Sequence, residues 1–332
     1  TLGPAIYSNS KLKKLINLGV DAFRINFSHE TQGIDKIVSK IRTIEKSSKK
    51  KLALIADLQG VKLRVGNIKG DSQKIKYNQK YIFDTNKNIG DHSRINFPYP
   101  KILKKLRKGN KILIDDGKFT FVVTSKKGLA VSTVCKSQNC FIKSNKSVHI
   151  PNFDITFNKL TSKDKKDIKT AIKLGCNWIA LSYLQNEKLI LEARKLIKKD
   201  MGIISKIENK HALKNIIKII KATDSVMIAR GDLALEVGWK NMGMVQEGIL
   251  SFCSAAHIPV VWATQVLEGL AKKGMPSRSE ITDITSSVQA ECVMLNKGPH
   301  INEAIAFLDE VLLNVESSHH KKEVLLPRME WI

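Results

Sequence analysis

The chain has 332 residues, of which 42% are hydrophobic, and a formal net charge of +25. No apolar stretch approaches the roughly 20 residues of a membrane span, and five scattered cysteines with no CxxC pair exclude a zinc centre and point to reduced thiols. The lysines recur through nearly every helix and hairpin and aromatics make up only 6%, so the charge reads as solvated faces and no nucleic-acid partner is expected.

Along the chain, short apolar runs rich in β-branched residues alternate with amphipathic helices. Strands are expected at Ala22–Phe27, Leu52–Asp57, Trp178–Ser182, Ile203–Ile207, Ser225–Ala229, Pro259–Ala263 and Cys292–Leu295. Helices are expected at Ser10–Leu18, Gly33–Glu45, Ser162–Leu174, Glu187–Lys198, Lys210–Ala222, Met242–Ala256, Glu280–Ala290 and Ile301–Asn314. Seven strands alternating with eight helices predict an α/β fold, a (β/α)8 TIM barrel whose first strand lies before Thr1. The alternation breaks once. Over residues 61–150 short strands and polar turns take over, with Asp115-Asp116-Gly117-Lys118 and Ser125-Lys126-Lys127-Gly128 as turn signals. This predicts an all-β lid domain inserted after the third barrel strand. The barrel then occupies 1–60 and 151–316, and 317–332 is a basic amphipathic tail. The chain begins at Thr1, not Met, so a cytoplasmic location is expected with an organellar one left open.

Charged and polar residues gather at the ends of the expected strands: Arg24 and Asn26, Asp57, Lys206 and Glu208, Arg230 and Asp232, and Thr264. Charges rarely occupy barrel strands unless they are paired or functional, and in a barrel these ends converge on one mouth. Glu208 and Asp232 can share one hard cation, since Mg²⁺ takes one or two carboxylates plus substrate oxygens. Lys206 lies two residues before Glu208, on the same face of an extended segment. A cation beside a metal suits charge developing on a phosphoryl group or an enolate oxygen. Arg24 offers a fork that matches phosphate, and Gly231 and Asp232 open a loop before a helix, where free N–H groups can hold a carboxylate. No GxxxxGK[ST] segment is present, so a nucleotide must be held another way.

These residues stand in segments that resemble the pyruvate kinase family. The segments are T-L-G-P at Thr1–Pro4, R-I-N-F-S-H at Arg24–His29, A-D-L-Q-G-x-K-L-R at Ala56–Arg64 and I-L-I-D-D-G-K at Ile112–Lys118. S-K-I-E-N at Ser205–Asn209, A-R-G-D-L at Ala229–Leu233, A-T-Q at Ala263–Gln265 and P-S-R-S-E at Pro276–Glu280 complete the series. The resemblance implies transfer of a phosphoryl group from phosphoenolpyruvate to ADP, giving pyruvate and ATP, with Mg²⁺ (or Mn²⁺) on Glu208 and Asp232. It implies Arg24 on the substrate phosphate, Lys206 on the transferring group and the enolate, and Gly231, Asp232 and Thr264 on the substrate carboxylate. Arg64, Lys146 and His29 match nucleotide-binding positions. Asn26, Ser28 and Asp57 match a monovalent-cation site.

The chain departs from that pattern at Lys62, Leu58 and Gln185, in the segment after the last strand, and in ending soon after the last barrel helix, so that the family's usual C-terminal α/β domain is expected to be missing. Lys62 stands where potassium-dependent members carry Glu, so its ammonium is expected to replace K⁺ and make that ion dispensable. Leu58 and Gln185 replace a Thr and an Arg. The S-G-E-T segment after the last strand is absent, Asn296 lying there instead, which leaves protonation of the enolate without its usual Ser. Two other readings fit the same residues: a Mg²⁺-dependent lyase or aldolase acting through a pyruvate-type enolate, and a catalytically impaired paralogue that binds phosphoenolpyruvate or a polyanion. Partners are expected to be small molecules, with no membrane and with self-association through the barrel.

Overall fold

The computed structural model describes residues 1–28, 33–48, 50–151, 153, 157 and 159–316. Two compact units emerge, one built from Thr1–Gly60 and from Phe157 onward, the other from Val61–Thr156.

The first unit alternates strand and helix. After α1 (Asn9–Asn17) come β1 (Ala22–Asn26), α2 (Ile34–Ser48) and β2 (Ala53–Asp57). The eight strands β3 (Ser72–Ile75), β4 (Lys80–Asp84), β5 (Arg94–Asn96), β6 (Lys111–Ile114), β7 (Phe119–Lys127), β8 (Ala130–Cys135), β9 (Cys140–Lys143) and β10 (Val148–His149) belong to the second unit, with α3 (Pro100–Lys105) among them. The first unit resumes with α4 (Ser162–Lys173), β11 (Trp178–Leu181), α5 (Glu187–Arg194) and β12 (Gly202–Ile207). There follow α6 (Lys210–Lys214), α7 (Ile216–Ile220), β13 (Ser225–Ala229), α8 (Arg230–Val237) and α9 (Trp239–Ala255). The last elements are β14 (Val260–Ala263), α10 (Glu268–Lys273), α11 (Arg278–Ser286), β15 (Cys292–Val293) and α12 (Ile301–Glu316).

The seven strands of the first unit form one parallel sheet in the order β1-β2-β11-β12-β13-β14-β15. At its ends, Leu2 N–H donates to the Arg24 carbonyl at 2.9 Å and the Thr1 hydroxyl to the Leu295 carbonyl at 3.3 Å. This is the barrel architecture. The helices pack outside because their apolar residues recur with helical spacing: Ile34, Ile37, Val38, Ile41 and Ile44 of α2 are all buried. Each strand serves two cores, as its period of two dictates. Leu54, Ala56, Ile179, Ile203, Val226, Ile228 and Trp262 face the helices, while Ile55, Ala180, Ile204, Met227, Val261 and Ala263 fill the interior.

The second unit is a six-stranded sheet in the order β10-β6-β7-β8-β4-β5 and a two-stranded β3-β9 ribbon. Tyr81, Phe83, Phe97 and Phe121 fill it with ring centroids 5.6 to 6.4 Å apart. It is not all β, because Pro100 at the first turn starts the short α3. The expected turn at Ser125–Gly128 is also tighter: β7 runs on to Lys127, which pairs with Ala130, and Gly128 turns the chain with a φ of 60°.

One expected helix differs as well: Lys210–Ala222 is broken into α6 and α7 at Asn215, whose amide donates to the carbonyls of Gln185 and His211 instead of continuing one uniform helix. Helices α8 and α10 fall where loops were expected; neither has a side-chain cap to announce it, and α8 begins directly behind β13.

Candidate active site

The interior layer of Ile55, Ala180 and Ile204 is followed, two residues on, by Asp57, Ser182 and Lys206. The same inward positions thus turn from apolar to polar at the C-terminal ends of β2, β11 and β12, and Glu208 comes one further step along. Register aligns them: Asn26 pairs with Asp57, Ala180 with both Asp57 and Ile204, and Lys206 with Met227.

The result is a buried chain of alternating charge. Arg24 Nε donates to Asp57 Oδ2 at 2.6 Å, and Lys206 Nζ lies 3.2 Å from Asp57 Oδ1 and 2.9 Å from Glu208 Oε1. The Ser182 hydroxyl donates to Asp57 Oδ1 at 3.1 Å and accepts from Lys206 Nζ at 2.7 Å. Asp57 and Glu208 are each only 2% exposed, so neither could stay ionised without these partners. Arg24 also donates to the Thr1 hydroxyl at 3.0 Å.

Burial alone would neutralise all three central groups. For Asp57 it is outweighed by the attraction of Lys206 and Arg24 and their hydrogen bonds, which hold its carboxyl below the usual range. For Lys206 burial opposes the ammonium, but Asp57 and Glu208 prevail and push it up to about 12. Glu208 goes the other way. Burial, joined by the negative charge of nearby Asp232, lifts it above the usual carboxylate range despite Lys206 and the Tyr183 N–H.

Asp232 comes from the first turn of α8, which starts at Arg230 immediately after β13. Arg230 fixes that turn. Its guanidinium donates to the carbonyls of Ala263 and Thr264 at 3.0 and 2.7 Å, pairs with Asp283, and stacks 4.6 Å over the Trp262 ring. Gly231 is required there, since a Cβ would stand 2.8 Å from Thr264 Cγ2. Thr264 itself has a φ of 75° and Gln265 one of 59°, a conformation that a β-branched residue rarely adopts. Tyr183 has a φ of 55°, and this brings its N–H to within 2.6 Å of Glu208 Oε2.

Arg24, Asp57, Lys206 and Glu208 are therefore joined by direct contacts, and Asp232 acts on Glu208 through its field. Gly231 and Thr264 touch each other. Asn26 accepts the Ser28 N–H at 3.0 Å and belongs to the same strand end as Arg24. His29 lies outside the described residues, as does the tail from Ser317. In the second unit, the Val65 N–H donates to the Lys146 carbonyl and Arg64 forms an isolated bridge with Ser147, so Arg64 and Lys146 sit on neighbouring segments. Their charged ends reach different partners: Arg64 donates to the Asn145 carbonyl at 2.8 Å, and Lys146 pairs with Asp115 at 2.8 Å. Lys62 stands 3.6 Å from Asp116.

A family profile described as pyruvate kinase, barrel domain, matches residues 1–300. The chain belongs to the pyruvate kinase family. The pyruvate kinase of Methylorubrum extorquens is 34% identical over 324 residues, covering 95% of this chain and 67% of that relative. That of Thermotoga maritima is 31% identical over 326 residues, 95% of this chain and 70% of the relative. A crystal structure of a pyruvate kinase from Cryptosporidium parvum superposes with a TM-score of 0.87 at 28% identity, over 95% of this chain and 68% of that one. The chain thus spans about two thirds of the length of these relatives, with which it shares a phosphotransferase barrel.

Sequence reasoning passed over Ser182 and Tyr183, and it noted Arg230 at a strand end without giving it a role. Ser182 was visible as a polar residue ending a strand, at the inward position that Asp57 and Lys206 share. Tyr183 and Arg230 act through backbone geometry and a clamp, for which no residue-type signal exists. Gln185 is buried and supports a neighbouring loop, its side-chain oxygen accepting the Phe157 N–H at 2.7 Å. Leu58 is buried in the helix-facing core.

Proposed function

We propose that this family member transfers the phosphoryl group of phosphoenolpyruvate to ADP, taking up a proton and giving pyruvate and ATP. The observation that carries the reading is the buried Arg24–Asp57–Lys206–Glu208 chain ending beside Asp232. It presents two cations and a carboxylate pair at one barrel mouth, as a dianionic ester and its enolate product require.

Arg24 binds the substrate phosphate, oriented by Asp57. Lys206, held cationic by Asp57 and Glu208, offsets charge on the transferring group and then on the enolate oxygen. The first N–H groups of α8 have no side-chain cap and receive the substrate carboxylate, with the Thr264 hydroxyl alongside. Glu208 and Asp232 fit Mg²⁺ or Mn²⁺: both are hard oxygen donors, and the repulsion that lifts Glu208 disappears when a cation sits between them. Bound there, the metal supplies Lewis-acid polarisation of the phosphoryl and enolate oxygens. Glu208 and Asp232 would be the residues holding that metal. Arg64 and Lys146 of the second unit are the residues this reading assigns to nucleotide phosphates.

K⁺ is dispensable in this reading. Asp57 already has Arg24, Lys206 and Ser182 on its oxygens. Exposed Trp239 and Met244 on α9, 69% and 57% accessible, favour self-association through the barrel. No described helix is long and apolar enough to cross a membrane, and five free cysteines favour a reducing compartment such as the cytoplasm. The test is pyruvate formation from phosphoenolpyruvate, ADP and Mg²⁺, followed with and without K⁺. Turnover in both conditions is expected. No turnover by folded protein sinks the reading, and turnover only with K⁺ sinks the cation assignment.

A further inference from the structure

The charge of this chain is not evenly spread. The Val61–Thr156 unit holds 20 Lys and Arg against 6 Asp and no Glu, a net +14 of the total +25 in fewer than a third of the residues. Within it, residues 92–114 and 117–153 contain no acidic residue at all.

Hydrogen bonds gather much of this charge on one face. Lys126 Nζ donates to the carbonyls of Lys104 and Leu106 at 2.6 and 3.1 Å, tying the end of β7 to the end of α3. Gly109 N–H donates to Val123 O and Val123 N–H to Asn110 O, both at 2.9 Å, which ties the following turn to β7. Lys111 pairs with Val122. Lys101, Lys104, Lys105, Arg107, Lys108, Lys111, Lys126 and Lys127 are thereby brought together, and all eight are exposed. None takes part in an ion pair among the described residues.

Lys126 serves the fold as the cap of α3, and cations suit a helix C-terminus. That explanation does not extend to the rest. Lys101 stands three and four residues before Lys104 and Lys105 on one helix, an arrangement of like charges that weakens the free helix. The barrel helices do the opposite: α4 interleaves Lys163, Asp164, Lys165, Lys166 and Asp167. The face also lies at the Lys111 end of β6, whereas Asp115, which holds Lys146, lies just past the other end. It is separate from the pair Arg64 and Lys146 to which nucleotide binding is ascribed above.

We propose that this face binds the phosphate backbone of duplex nucleic acid without reading bases. The large hydrophobics exposed on the unit are Tyr77, Ile89 and Phe141, none of them on α3, the turn after it or the tip of the β7–β8 hairpin. The face therefore has no aromatic on which a single-stranded base could stack and no apolar wedge for a lipid surface. Regularly spaced phosphates need neither.

The test is fluorescence anisotropy of a labelled mixed-sequence duplex with the full chain, at several salt concentrations. Affinity should fall roughly 10³-fold between 50 and 200 mM salt for about six phosphates neutralised. Replacing Lys101, Lys105, Lys108 and Lys127 by Gln should make the log–log salt slope shallower by about 3 to 4, at roughly 0.9 for each phosphate no longer neutralised. Replacing Lys36, Lys46, Lys173 and Lys195 of the barrel helices by Gln removes the same charge and should leave slope and affinity in place. Protection of the seven lysine side chains from acetylation by bound duplex gives a readout that needs no variant. The proposal fails if the wild-type chain shows no saturable binding at 50 mM salt, or if both quadruple variants weaken equally. It fails also if phosphatidylserine vesicles are bound in preference to duplex, or if acetylation of the face is unaffected.

Discussion

Replacing Lys206 by Met removes a cation with three partners: Asp57 at 3.2 Å, Glu208 at 2.9 Å and Ser182 at 2.7 Å. Breaking a buried ion pair from one side costs about 3–5 kcal/mol. The low end applies here, because Asp57 keeps Arg24 and Ser182 and Glu208 can relieve its charge by taking a proton. A loss of about 3 kcal/mol in a chain of this length lowers Tm by about 4 °C, given an unfolding entropy of roughly 2.1 cal/mol/K per residue. Catalysis should suffer more. One preorganised donor facing a developing oxyanion is worth roughly 10²–10³ in rate, and a full ammonium in a buried site lies at or beyond that upper value. Pyruvate formation should therefore fall by about 10³ or more, or roughly 4 kcal/mol in the barrier, while thermal unfolding stays cooperative. The folded-state value near 12 keeps the wild-type ammonium charged across the whole working pH range, so raising the pH to about 9 should not imitate the substitution. A variant that keeps turnover within tenfold of wild type while losing stability refutes the catalytic assignment and leaves Lys206 a structural counter-ion.

Glu208 is lifted above its ordinary range, so the folded apoprotein binds its proton more tightly than the unfolded chain. This stabilisation is lost as pH rises from the unfolded value through the folded one. Mg²⁺ needs the ionised form; its affinity should rise with pH over the same window, with proton release in calorimetry, and Glu208→Gln should flatten the profile. A flat wild-type profile excludes that coupling. Gly231→Ala drives a Cβ to 2.8 Å from Thr264 Cγ2; KM for phosphoenolpyruvate should rise about tenfold, or about 1.4 kcal/mol, while Tm shifts little. Arg230→Ala removes the Asp283 pair, two carbonyl contacts and the Trp262 stack. It should cost about 2–4 kcal/mol in stability, read by denaturant unfolding, and lower kcat/KM; an unchanged midpoint would count against the clamp.

Much of the first unit was legible from pattern. The seven strand segments appear within one or two residues, because most are apolar runs buried on both faces, as a parallel sheet demands. Helix α8 follows β13 without a loop, so Arg230-Gly231-Asp232 reads as a polar connection, and its order comes from the Asp283 and carbonyl contacts that only the fold supplies. The break at Asn215 is similar: Ile216, Ile217, Ile219 and Ile220 continue a helical pattern, and the side chain of Asn215 interrupts it by bonding to Gln185. At the site, Arg24, Asp57, Lys206 and Glu208 were legible as charges in strands that should not hold them. Ser182 was quieter, since serine at a strand end is ordinary. Lysine is spread along the whole chain, so the scarcity of acidic residues in the second unit shows only once the units are known.

The left-handed backbone at Thr264, Gln265 and Leu267 stores about 1–3 kcal/mol at each position. All three follow β14, the strand whose end meets Gly231. Selection for heat resistance alone would therefore favour glycine or asparagine at these positions, which relax without strain. The surrounding barrel core holds this loop in a shape that its own residues resist.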